Sequence, residues 1–145
     1  MSVATEDLPA QVRATLEDEG WNALQNGSTG ALNTIVEMEK ADDSGNRGHF
    51  MLQSRPSHSD PDRYRQLRIE NLEADSSVEN VIDAGTREFG SSPAFGLQYF
   101  NVNNGRTTQS WYTQNRDSLL IITVDYPGEG EIPSDIVDVL DAVIL

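Results

Sequence analysis

One stretch limits the possible folds more than any other: DSLLIITVDYPGEGEIPSDIVDVLDAVIL, from Asp117 to Leu145. Leu119, Leu120, Ile121, Ile122 and Val124 form the densest apolar run of the chain. The run is too short to cross a bilayer. It is rich in branched aliphatics and bounded by turn residues, the pattern of a strand buried on both faces. Beyond a Gly/Glu/Pro loop, Ile136, Val139, Leu140 and Val143 recur at helical spacing, so an amphipathic helix should close the chain. A central strand with a helix packed on it supplies the core.

The rest of the chain can be arranged around that unit. Thr5 to Glu19 reads as a helix, with Leu8, Val12 and Leu16 on one face, acidic residues in the first turn and Gly20 to end it. Trp21 and Leu24 should then cover a core edge. Ala31 to Lys40 and His49 to Ser54 alternate as strands, joined by the turn-rich ADDSGNRG. The loop RPSHSDPDR leads to a third expected strand, Tyr64 to Leu72, with Leu67 and Ile69 inward. Ser76 and Glu79 spell a capping box, which predicts a helix as far as Phe89, stopped by Gly90. Two more strands, Phe95 to Asn103 and Thr107 to Thr113, flank Asn104-Gly105, the signature of a type I′ hairpin. A second tight turn at residues 115–117 leads into the central strand. The expected fold is one α+β domain in the order α-βββ-α-βββ-α: a mainly antiparallel sheet of about six strands with helices packed on it.

Charge speaks to the setting. The chain has 145 residues, 24 acidic against 10 basic, for a formal net charge of −14. Lys40 is the only lysine. Such self-repulsion weakens a compact state in dilute buffer. At about 1 M salt the Debye length falls to roughly 3 Å and most of the repulsion is screened. High acid content with almost no lysine points to the cytoplasm of a salt-in halophile, a haloarchaeon above all, or to a virion assembled in one. An ordinary acidic protein is the competing reading. The same charge argues against nucleic acid as a direct partner, because phosphate binding needs clustered Lys and Arg. There is no cysteine, hence no disulfide framework and no thiolate metal site. The N-terminus MSVATEDLPA has neither a basic start nor an apolar run, so no export signal and no membrane association are expected.

Chemistry-bearing patterns are few. His58, Asp60 and Asp62 lie in one loop at a spacing of two and would offer a metal site given one more ligand; a solvated loop of an acidic protein is the plainer reading. Glu37, Glu39 and Lys40 lack the register of a nuclease metal element, and residues 128–131 lack the ligand count of a calcium loop. No nucleophile elbow, phosphate loop or dinucleotide fingerprint is present. No metal, no cofactor and no catalytic activity are therefore expected. Between residues 89 and 116 the only charged groups are Arg106 and Arg116, among several aromatics. Interface centres are depleted of acid and enriched in aromatics and arginine. Tyr99, Arg106, Trp111, Tyr112 and Arg116 are accordingly the expected contact surface, for a protein partner and in the first place a second copy of the chain. The alternative is that these aromatics are core.

The second half, with SSVENVIDAGTREF, YTQNRDSLLIITVDYP and the closing DIVDVLDAVIL, resembles the PsbP/DcrB-like superfamily. That resemblance implies a non-catalytic binding or assembly factor and transfers no site residue. The overall element order also resembles the tail-terminator proteins of long-tailed phages, which implies a ring-forming virion connector. Together these readings predict a non-catalytic interaction or assembly module for high salt, with the virion connector and a small metal enzyme centred on His58 as alternatives.

Overall fold

A computed structural model describes residues 8–23, 34–56, 60–115 and 118–145. The helix α1 (Leu8–Asp18) is followed by three strands, β1 (Asn22–Ala23), β2 (Thr34–Ala41) and β3 (Arg47–Pro56). The helix α2 (Pro61–Glu73) precedes four more strands, β4 (Val78–Phe89), β5 (Ser92–Asn101), β6 (Arg106–Asn115) and β7 (Ser118–Pro127). A one-turn helix α3 (Ser134–Val137) runs into a 3₁₀ turn, Asp138–Ala142. The strands form one antiparallel sheet in the order β1-β2-β3-β7-β6-β5-β4. The fold is α+β, and the apolar run is its middle strand, β7.

Alternation along β7 divides the core in two. Leu120, Ile122 and Val124 face α1 and the C-terminal segment, in a cluster with Val12, Leu16, Trp21, Met38, Phe50 and Leu140. Leu119 and Ile121 face the other way, with Leu72 of α2, Leu97 and Tyr112. The C-terminal segment buries Ile136, Val139, Leu140 and Val143 as their spacing suggests, but not as one α-helix. Tightening to three residues per turn aligns Ile136 with Val139. An extended Val143 then lets Val143 and Leu145 turn inward with Ile144 outside.

Two expected elements exchange identity. Residues 64–72 are helix, not strand, and residues 78–89 are strand, not helix. The helix begins where Asp60 caps it: its carboxylate accepts from the Asp62 N–H at 3.0 Å, and Pro61 occupies the first turn. Its inward face is Tyr64, Arg65, Ile69 and Leu72, while Leu67 is 45% exposed. The apparent alternation of Leu67 and Ile69 is therefore incidental. In β4 the register shifts twice, between Glu79 and Ile82 and between Asp83 and Gly85. Asn80 (φ 56°) and Gly85 (φ 86°) supply the positive φ there. Each bulge adds one residue to the period of two, so partly buried positions recur every third residue, at Val78, Val81, Ala84 and Arg87. That spacing imitates a helix. The supposed capping box is a turn in which the Asp75 carboxylate accepts from the Ser77 N–H at 2.9 Å.

The β5–β6 hairpin is present, but its loop is residues 102–105, with Asn101 paired to Arg106. Among the described residues of that loop only Gly105 has a positive φ, 69°, so the turn is not type I′. The asparagine side chains close the longer loop instead: Asn101 accepts from the Asn103 N–H at 2.8 Å and Asn104 from the Arg106 N–H at 3.0 Å.

Candidate functional site: an open groove on the helix 2 face

The α1 face of the sheet is closed over β2, β3 and β7 by α1 and the C-terminal segment. The opposite face is not. Helix α2 packs over β4, β5 and β6. On the same face β2, β3 and residues 123–125 of β7 carry no described helix. Between α2 and this bare half lies an open groove of about 590 Å³. Its floor is Met51, Gln53, Ser110, Ile121 and Thr123; its sides are Tyr64, Leu67, Arg68 and Asn71 from α2, Tyr99 and Tyr112 from the hairpin, and Arg55 from β3. Twelve described residues line it, and among them none is Asp or Glu. In a chain with 24 acidic residues that exclusion marks the groove out.

The wall is rigid. Tyr112 is buried and packs on Tyr64 with ring centroids 5.2 Å apart. Burial pushes the Tyr112 phenol up to about 12, so it stays neutral. Arg55 donates to the Tyr64 hydroxyl at 2.8 Å. On the floor the Ser110 and Thr123 hydroxyls lie 3.3 Å apart across the β6–β7 pair.

One row further along the same face sits a charged chain across four strands. His49 Nε2 donates to Glu37 at 3.1 Å and Nδ1 donates to Asp125 at 3.1 Å. Arg106 Nε donates to the other oxygen of Asp125, and its Nη2 donates to the Arg47 carbonyl at 2.8 Å. Carboxylates only accept, so both ring nitrogens must carry protons and His49 is held as imidazolium. The hydrogen bond to Asp125 is the main cause of its raised pKa, opposed by burial and supported by Glu37. With both nitrogens engaged, the ring has no free base to activate a hydroxyl. A raised folded pKa contributes stability that is complete below the unfolded value near 6.5 and is lost as pH rises through the folded one. The unfolding midpoint should therefore fall as pH rises above about 6.5 and through the raised folded value. In His49→Gln that slope should flatten; an unchanged slope would assign it to other groups.

The residues singled out by the sequence part company. Tyr99 and Tyr112 line the groove. Trp111, next to Tyr112, points to the closed face and is 4% exposed, so it is core. Arg106 is not free near a hairpin tip but paired with Asp125. Arg116 lies outside the described residues, as does His58. Of its two loop companions, Asp60 caps α2 and Asp62 pairs with Arg65, so both carboxylates have structural work. Among the described residues no group of three His, Cys, Asp or Glu is placed to hold a metal. Met51, Arg55, Leu67 and Arg68 escaped the sequence reading, because reading α2 as a strand scattered the last two and nothing local marks the others.

Among the described residues no helix is long and apolar enough to cross a membrane. No family model and no curated protein sequence matches the chain. Among solved structures, LpqN of Mycobacterium tuberculosis, described as involved in cell envelope biogenesis, has a similar fold. The TM-score is 0.50 at 12% sequence identity, over 85% of this chain and 74% of LpqN. At that identity the likeness is one of fold.

Proposed function

We propose that the chain is a non-catalytic protein-binding module working at high salt, and that its contact surface is the groove between α2 and the bare half of the sheet. The observation that carries this reading is the absence of any carboxylate among the groove's lining residues in a chain of net charge −14. The groove instead holds the mixture of tyrosine, arginine and aliphatic groups that protein contacts favour. The doubly engaged His49 and the structural roles of Asp60 and Asp62 support a binding rather than a catalytic role.

The test uses immobilised full-length chain in molar KCl with extract of the source cells. A defined partner, whether a second copy or another protein, should be retained by the parent and by Val102→Asp, an exposed loop position outside the groove. Leu67→Asp, on the groove's side, should lose it with an unchanged unfolding midpoint. Equal retention by Leu67→Asp places the contact elsewhere. The high-salt part is checked separately: the parent's unfolding midpoint should climb as KCl rises to molar concentration. A flat or falling midpoint removes that part of the reading.

A further inference from the structure

We propose that the occupant of the groove is an acidic peptide segment of the partner chain, its carboxylates taken by Arg55 and Arg68 and its apolar side chains by the floor and Leu67. This rests on the binding reading above and adds the chemistry of the ligand. The observation behind it is how arginine charge is distributed. Arg47, Arg65, Arg87 and Arg106 are each neutralised within the chain, by Glu39, by Asp62 and Asp83, by Asp141 and by Asp125. Arg55 and Arg68 make no ion pair with a described carboxylate, although the charge of Arg68 contributes to the lowered pKa of Asp75, and both line the groove. Arg13 and Arg63 also lack one, but they do not line it.

Arg55 is moreover positioned without being neutralised. Its guanidinium donates to the neutral Tyr64 hydroxyl, and the Tyr64 ring is fixed against Tyr112. A guanidinium held by a hydroxyl keeps its full charge and its remaining donors for a second acceptor. The side chains of Arg55 and Arg68 are both exposed, so water solvates them in the free chain and both can turn to an anion that enters the cavity. Arginine suits the task at high salt, because a Debye length of roughly 3 Å leaves only direct, hydrogen-bonded charge contacts effective. A partner of similar composition would present chiefly carboxylates, so charge complementarity selects an acidic segment. The apolar floor at Met51 and Ile121 and the half-exposed Leu67 then call for aliphatic side chains between them.

The probe is a labelled synthetic peptide alternating Glu and Leu, compared with its Gln/Leu counterpart, on full-length chain in molar KCl by fluorescence anisotropy. The Glu peptide should bind about tenfold tighter, as expected for charge-assisted pairs. Arg55→Gln/Arg68→Gln should abolish the preference with the unfolding midpoint unchanged, and Arg13→Gln/Arg63→Gln should keep it. Equal affinity for the two peptides, no binding of either, or a preference that survives in Arg55→Gln/Arg68→Gln overturns the proposal. So does free glutamate competing as well as the peptide, which would make the ligand a small anion. If these arms fail while Leu67→Asp still loses its partner, the groove binds something other than acid; if both fail, the binding reading falls as well.

Discussion

Phe50→Ala should lower the unfolding free energy by about 3–5 kcal/mol, the range for truncating a fully buried aromatic. Phe50 is completely buried at the middle of β3, paired with Met38 of β2 on one side and Val124 of β7 on the other. Its ring meets Trp21 edge-on, with centroids 6.2 Å apart. Trp21 is itself buried and tied to the end of α1, where its N–H donates to the Leu16 carbonyl at 2.9 Å. The site cannot collapse when the ring is removed. Two ladders hold the backbone of β3, and the closed face above it is already filled by α1 and the C-terminal segment. Urea unfolding in molar KCl would measure the loss, with the slope on denaturant checking that the unfolded state is unchanged. A loss below about 1 kcal/mol would mean that α1 is not docked as described.

Gly96→Ala should cost about 3 kcal/mol, the upper end of what overpacking a core does. Gly96 on β5 pairs with Trp111 on β6, and a Cβ there would lie 2.6–2.7 Å from three carbons of the indole ring. The ring cannot retreat. Its Nε1 donates to Gln109 at 2.8 Å, and the Arg87 guanidinium lies 5.4 Å from its centroid. Trp111→Leu should remove much of the penalty, so the two changes made together should cost clearly less than their sum. Strict additivity would refute the clash. This glycine is needed for close approach rather than for a special backbone angle, and it allows the indole to lie flat on the closed face. That arrangement sends Tyr112, the next residue, to the groove.

What the sequence determined by itself is local and compositional. Five apolar residues between 119 and 124, in a run too short for any other use, specify a central strand. Alternation within 31–40 and 49–54 specifies the neighbouring strands, and the spacing of Val12 and Leu16 specifies α1. Acid excess with a single lysine is a property of composition and needs no fold. The capping signals of α2, Asp60 before Pro61, were also written in the chain, but the alternation of Leu67 and Ile69 competed with them. Tertiary structure decided between the two, because α2 is held by what lies beneath it: Arg65 between Asp62 and Asp83, and Leu72 against Leu97. β4 was illegible for a related reason. Its bulges exist only relative to β5, and without the partner strand a twice-shifted period of two is indistinguishable from a helix. The groove belongs wholly to this second class. Its lining comes from five elements that no local pattern joins. Whether an arginine is neutralised depends on partners as distant as Arg87 and Asp141, or Arg106 and Asp125, so only the folded chain sets these apart from Arg55 and Arg68, which make no ion pair with a described carboxylate.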